Sequence, residues 1–216
     1  MIELNKIHNM DCLEYMKTVP DNFYDLCLTD PPYGIGMDGG NIGGNNLGKA
    51  KDYIKKEWDN NIPSKELFDE IIRVSKFQII FGANHFIQNI PYNSSCWIVW
   101  DKDNSGNFAD SELAWTNFKT AVRNYKFRWN GMIQQDMANK EERHHPTQKP
   151  VELFKMILRD YAVKNDFKTI FDPFMGSGTT AIACKSLGLD YVGCELDKDY
   201  YEIINKRLSQ VQGSLF

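Results

Sequence analysis

The 216-residue chain has no excess of positive charge, no paired-cysteine motif and no apolar run near the ~20 residues that span a bilayer. Its first residues, MIELNKIHNM, carry no basic patch followed by an apolar stretch, so no secretory leader is read there. The five cysteines (Cys12, Cys27, Cys96, Cys184 and Cys194) are odd in number, scattered and without a CxxC pair. This argues against a disulfide frame or a zinc site and predicts buried thiols in a reducing compartment. Internal repeats and low-complexity tails are absent as well. The expectation is a soluble, cytoplasmic protein with no membrane partner and no metal. A net charge of −4 excludes a uniformly basic surface, although a nucleic acid needs only a local basic patch.

What is present is 42% hydrophobic residues, enough for one sizeable core, and the chain reads as a single domain over 1–216. Short apolar runs alternate with helical periodicity, the pattern of an α/β sheet with helices on both faces. Strands are predicted at Glu3–Ile7, Tyr24–Thr29, Phe77–Phe81, Cys96–Trp100, Glu112–Asn117, Val122–Trp129, Thr169–Asp172 and Tyr191–Cys194. Helices are predicted at Asp11–Lys17, Lys65–Ser75, Val151–Val163, Gly178–Leu187 and Lys198–Ser209. Ser64 suits an N-cap and Gly188 a C-cap. Trp97, Trp100, Trp115 and Trp129 lie in strand-like runs and read as core. His144 and His145 have no third ligand nearby and read as surface residues.

Two stretches are irregular. Residues 34–61 are rich in glycine and asparagine and carry Lys49, Lys51, Lys55 and Lys56, which reads as a loop insertion that meets phosphate, closes over a site or is simply solvated. Within it, GIGMDG (Gly34–Gly39) fits GxGxxG but opens no helix, and GGNNLGKA (Gly43–Ala50) has alanine where a P-loop needs a hydroxyl. Both are therefore declined as nucleotide motifs. Residues Lys119–Lys149 are basic, with Lys119, Arg123, Lys126, Arg128, Lys140, Arg143 and Lys149 against Asp136, Glu141 and Glu142.

Two segments carry chemistry. In LTDPPYGIG (Leu28–Gly36), two prolines stand between an acid and an aromatic ring at the end of an apolar run. Pro32 fixes its own φ and restricts Pro31, so the Pro31 carbonyl has a set direction. In TIFDPFMGSGTTAIACKSLGLDYVGCELD (Thr169–Asp197), Asp172 ends one strand and Glu195 the next, with a glycine turn and a helix start between them. Gly176 and Gly178 permit close approach of a ligand, Ser177, Thr179 and Thr180 offer donors, and Glu195 stands where an acid accepts from ribose hydroxyls. Taken alone, this second segment reads equally well as an ordinary βαβ turn.

Together the segments resemble the amino-methylating DNA methyltransferases, along nearly the whole chain. DPPY matches the catalytic signature and FMGSG the S-adenosylmethionine loop. Their order is that of the β group, and NMDCLEY and HPTQKP fit the same pattern. The resemblance implies a circularly permuted Rossmann-like methyltransferase fold with a mostly parallel seven- to eight-stranded sheet. It implies methyl transfer from S-adenosyl-L-methionine to the N6 amine of an adenine flipped out of double-stranded DNA. It also implies a bacterial or phage setting of the restriction–modification kind, and it admits a homodimer. Asp30 and the Pro31 carbonyl would hold the amine's two hydrogens, Pro32 would fix the corner, and Tyr33 would stack on the base.

The implied cofactor contacts are Asp11 and Cys12 at the adenine, Glu195 at the ribose, and Asp172, Phe174, Gly176, Ser177, Gly178 and Thr179 around the methionine part. Thr147, Gln148 and Lys149 would meet its carboxylate. Asp11 reads equally as the N-cap of its helix. Residues 119–144 are left as a small target-recognition region. The alternatives are cytosine N4, for which family members more often have serine at the position of Asp30, then RNA or a protein amide, and finally an inactive DNA-binding module.

Overall fold

The segment Tyr24–Thr29 reads YDLCLT, and nearly every side chain in it is buried. A strand apolar on both sides belongs inside a parallel sheet covered on both faces, and this one lies at the centre of such a sheet. The computed structural model describes residues 2–41, 52–53, 56, 58–90, 93–104, 109–130 and 133–211. Among these, the main sheet holds β1 (Lys6–His8), β2 (Tyr24–Thr29), β3 (Ser75–Phe81), β4 (Trp97–Asp101), β5 (Ser111–Thr116), β6 (Arg123–Lys126), β7 (Thr169–Asp172) and β8 (Asp190–Cys194). Its order is β1-β8-β7-β2-β3-β5-β4-β6. Every pairing is parallel except those of β5, which runs against both β3 and β4.

Five helices cover the sheet among the described residues: α1 (Cys12–Met16), α2 (Lys65–Val74), α3 (Val151–Tyr161), α4 (Thr179–Leu187) and α5 (Lys198–Gln210). One core layer joins α1 and α2 to the sheet through Tyr15, Met16, Phe68 and Ile71. The other joins α3, α4 and α5 through Leu153, Ile157, Ala181 and Ile204. The architecture is the doubly covered α/β sheet expected from the chain's periodicity, mostly parallel as the resemblance implied. Ser64 Oγ caps α2 by accepting from Leu67 N at 3.3 Å. Gly188, at φ +67°, ends α4 in the left-handed conformation that favours glycine. No helix among the described residues is long and apolar enough to cross a membrane.

The differences from expectation have local causes. The first strand starts at Lys6 instead of Glu3 because Asn5 adopts φ +59° and turns its amide to Asp190 Oδ1 at 2.6 Å. The strand expected over Val122–Trp129 stops at Lys126, and Trp129–Asn130 leaves to pair with Ile133–Gln134 in a separate ladder. All five cysteines are buried and free. Trp100, Trp115 and Trp129 lie in the core, whereas Trp97 is only partly buried.

Phe68 is fully buried and stacks on Phe86 with centroids 4.8 Å apart. Phe68→Ala is expected to lower the unfolding free energy by about 3–5 kcal/mol, which urea denaturation measures.

Candidate functional site

Strand β2 delivers Asp30 to the carboxyl edge of the sheet, and the chain then turns through Pro31 and Pro32. The N–H groups that follow need an acceptor, because a buried unpaired donor is costly. Asp59 supplies it. Its Oδ1 accepts from Tyr33 N at 2.7 Å and Gly34 N at 2.8 Å, and its Oδ2 from Met37 N at 2.8 Å. The Tyr33 ring stacks on His85, with centroids 4.9 Å apart and planes at 15°. The backbone of Gly82, just after β3, runs against this ring. A Cβ there would lie 1.9 Å from Tyr33 Cε1, and φ is +69°. The corner therefore depends on a glycine and an acid that are both remote from it in sequence.

Each oxygen of the Asp30 carboxylate has one partner. Its Oδ1 accepts from the Tyr33 hydroxyl at 2.6 Å and its Oδ2 from Lys149 Nζ at 2.5 Å. Lys149 Nζ also lies 3.1 Å from Glu112 Oε2 and 3.3 Å from the Tyr33 oxygen. Glu112 Oε1 pairs in turn with Lys102 Nζ at 2.5 Å. Burial raises Asp30 above the ordinary carboxylate range, against the pull of Lys149. Glu112 goes the other way. Burial alone would raise it, but Lys149 and Lys102 hold it down at about 2. Burial disfavours the Lys149 ammonium, yet Asp30 and Glu112 keep its pKa above the usual lysine value.

The second half of the site lies on the adjacent strands. Strand β7 pairs with β2 on one side and β8 on the other, so Asp30, Asp172 and Glu195 follow or end three neighbouring strands. Asp172 Oδ1 accepts from Thr29 Oγ1 at 2.7 Å and Phe174 N at 3.0 Å, and Oδ2 accepts from Thr180 Oγ1 at 2.5 Å. Burial raises it to about 6. Glu195 accepts from Gly176 N at 2.7 Å and from Asp197 N at 2.8 Å, one bond per oxygen, and burial raises it to about 7. Each of its oxygens keeps a lone pair for another donor.

HPTQKP spans the two halves. Gln148 Oε1 accepts from Ser177 Oγ at 3.0 Å and from His144 N at 2.8 Å, while Thr179 Oγ1 donates to the Lys149 carbonyl at 3.1 Å. Thr147 bonds His145 Nδ1 through its hydroxyl at 3.1 Å. His145 is buried between Trp58 and Tyr200, with centroids 4.9 and 4.5 Å away, and burial depresses it to about 3. It is therefore a neutral packing residue and not the surface histidine that the sequence suggested. The indole Nε1 of Trp58 is buried with no acceptor among the described residues.

The structure thus brings Asp30, Tyr33 and Lys149 into one cluster and Asp172, Phe174, Gly176, Ser177 and Glu195 into its neighbour. Asp11 caps α1, accepting from Leu13 N at 2.9 Å and Glu14 N at 3.1 Å, and Cys12 is buried beside it. The ammonium of Lys149, the residue expected at a ligand carboxylate, pairs with Asp30 and Glu112. Of the loop lysines, Lys49, Lys51 and Lys55 lie outside the described residues. Lys56 pairs with Asp197 and, at 2.8 Å, with Asp199 at the start of α5. In the basic stretch, Lys126 and Arg128 both pair with Asp103, and Arg143 lies over the Trp129 ring at 4.6 Å. Sequence reasoning missed Asp59, Gly82, Lys102 and Glu112. Only Glu112 left a trace, as a charge at the start of an apolar run.

A glycine turn and two strand-end acids at the carboxyl ends of parallel strands stand where the doubly wound α/β class binds its ligands. Comparison with known proteins narrows this. A family model described as DNA methylase matches residues 112–206. The Type II methyltransferase M.HinfI of Haemophilus influenzae is 26% identical, covering 97% of this chain and 69% of its own length. M1.MboII of Moraxella bovis is 27% identical, covering 98% of this chain and 99% of its own length. The crystal structure of the M1.HpyAVI–SAM complex shares the fold, with a TM-score of 0.55 and 22% identity over 94% of this chain and 98% of its own. The chain is similar to DNA methyltransferases along nearly its whole length.

Two outcomes follow from the geometry. Gly82→Ala is expected to displace the Tyr33 ring and quench the site's activity by about 100-fold, as a misplacement of ~1 Å can. Far-ultraviolet circular dichroism should show the fold retained. Glu195, at about 7 when folded against an ordinary 4.5, binds more protons folded than unfolded across that window. The wild type should therefore lose stability relative to Glu195→Gln as pH rises from 4.5 through 7, by ~3 kcal/mol in all, levelling off above that, in pH-resolved denaturation.

Proposed function

We propose that the chain transfers a methyl group from S-adenosylmethionine to the N6 amine of an adenine flipped out of double-stranded DNA. The observation that carries this reading is the Thr29–Asp172 hydrogen bond at 2.7 Å, which sets the DPPY corner beside the glycine turn. The relatives' Type II methyltransferase names support DNA as the substrate.

The chain's residues fit the cofactor. Glu195 has acceptor capacity left for two hydroxyls, and the unpartnered Trp58 Nε1 offers a donor beside His145, which abuts Gly176. Asp11, Cys12, Thr147, Gln148, Asp172, Phe174, Gly176, Ser177, Gly178, Thr179 and Glu195 would hold it. When bound, it supplies an activated methyl group on a sulfonium.

The protein's share is positioning and proton control. An exocyclic amine is a poor nucleophile because its lone pair is delocalised into the ring. Asp30 and the Pro31 carbonyl hold its two hydrogens and draw the nitrogen towards a tetrahedral shape. The base stacks on the Tyr33 ring, an interaction worth ~1–3 kcal/mol. Because burial favours the neutral form of Asp30, that carboxylate can take the proton the methylated nitrogen releases. Flipping the base costs a few kcal/mol. The exposed Lys119, Arg123 and Lys140 in the 119–144 region would meet the phosphates.

The test is to incubate the protein with unmethylated genomic DNA and labelled cofactor, digest to nucleosides and identify the product by mass spectrometry. N6-methyladenine is expected, with Asp30→Ala reducing its formation by at least about 100-fold. A methylated cytosine would overturn the adenine assignment, and label in RNA or protein alone would overturn DNA as the substrate.

A further inference from the structure

Part of the irregular segment is pinned across the two halves of the site. At the corner, Asp59 takes the N–H groups of Tyr33, Gly34 and Met37. On the other side, Lys56 Nζ pairs with Asp197, whose N–H donates to Glu195 Oε1 at 2.8 Å. Between these anchors Trp58 packs on His145, and the His145 ring lies 3.8 Å from where a Cβ on Gly176 would stand. Asp38 belongs to the same ribbon of chain. Its carbonyl accepts from Lys56 N at 3.1 Å, and Gly40 and Asn41 pair with Tyr53 and Asp52.

This ribbon carries two unpaired polar side chains. Among the described residues, Trp58 Nε1 is buried with no acceptor, and Asp38 is fully buried with no donor to either oxygen. A buried polar atom without a partner is costly, and a buried acid more so. The indole and the carboxylate do not satisfy each other. Together they fit an occupant that carries an acceptor and a cationic donor side by side. The neighbouring donors of HPTQKP are already spent within the chain. Both amide hydrogens of Gln148 go to Glu141 Oε1 and the Glu142 carbonyl, and the Lys149 ammonium meets Asp30, Glu112 and Tyr33.

We propose that Trp58 and Asp38 bind the amino-acid end of S-adenosylmethionine, the indole donating to its carboxylate and Asp38 accepting from its ammonium. The inference rests on the function proposed above. No other part of the cofactor carries an ammonium beside a carboxylate. That end is joined to the sulfur by two methylene groups, so it belongs near the corner that receives the methyl group. Asp59 holds both residues there, since it follows Trp58 in the chain and binds the N–H of Met37, the neighbour of Asp38.

The test is calorimetric titration of the protein, without DNA, with two ligands. S-adenosylhomocysteine has the amino-acid end, and 5′-methylthioadenosine has the same nucleoside and sulfur without it. Trp58→Phe, which keeps a ring against His145, and Asp38→Asn are each expected to weaken S-adenosylhomocysteine by at least about tenfold. Both should leave the Kd of 5′-methylthioadenosine within about threefold of wild type. Because Asp38→Asn removes a buried unpaired acid, it should not lower the melting temperature of the ligand-free protein. An unchanged S-adenosylhomocysteine affinity in either variant overturns the proposal. So does an equal loss for both ligands, which would mark a merely structural role. A wild type that binds neither ligand overturns the functional reading itself, whereas a wild type that binds S-adenosylhomocysteine no differently from its variants overturns only this inference.

Discussion

The Asp172 carboxylate is the joint on which the site depends. It accepts a hydroxyl from the end of β2, a backbone N–H from the glycine turn and a hydroxyl from the first turn of α4. Bonds to a charged acceptor are worth ~1.5–3 kcal/mol each, and their removal would strand two buried hydroxyls. The same bonds set the distance between the corner that begins at Asp30 and the loop that ends at Thr179. The relative placement of the two halves therefore comes from adjacent strands and one shared acid, with HPTQKP bridging them.

Across this joint the site divides into two electrostatic regimes. On the corner side, acids and lysines are interleaved, and Glu112 is held at about 2. On the loop side, Glu195 has backbone N–H groups as its hydrogen-bond partners and rises to about 7. The two carboxylates belong to the same sheet edge, so the contrast reflects their immediate neighbours more than their depth. Environments that push the pKa values of nearby acids apart allow one site to hold a permanent charge beside a proton that is free to move.

Much of this was legible in the sequence. The boundaries of β2 and β7 follow from short, mostly apolar runs that end in an acid, and the helices from their spacing and caps. The glycine turn declared itself through Gly176 and Gly178. What stayed hidden was long-range pairing. Nothing local to Asp59 says that it will accept three N–H groups of a segment more than twenty residues earlier. Gly82 reads as a plain strand terminus until Tyr33 is seen lying against it. The acid partners of Lys149 were hidden for the same reason. A lysine ahead of a helix suits an anionic ligand, but Asp30 and Glu112 reach it first. His145 was misread because its cover, Trp58, comes from the irregular loop.

The single reversed strand, β5, has a further consequence. Every parallel strand of the sheet presents its last residue at the rim where ligands bind, so acids that follow hydrophobic runs are easy to find. A strand pointing the other way presents its first residue at that rim, and Glu112, second in β5, reaches the same edge as Asp30 from the opposite end of its run. In sheets of this mixed kind, the polar positions that a reversed strand brings to the rim precede its hydrophobic stretch, and a search confined to what comes after it will overlook them.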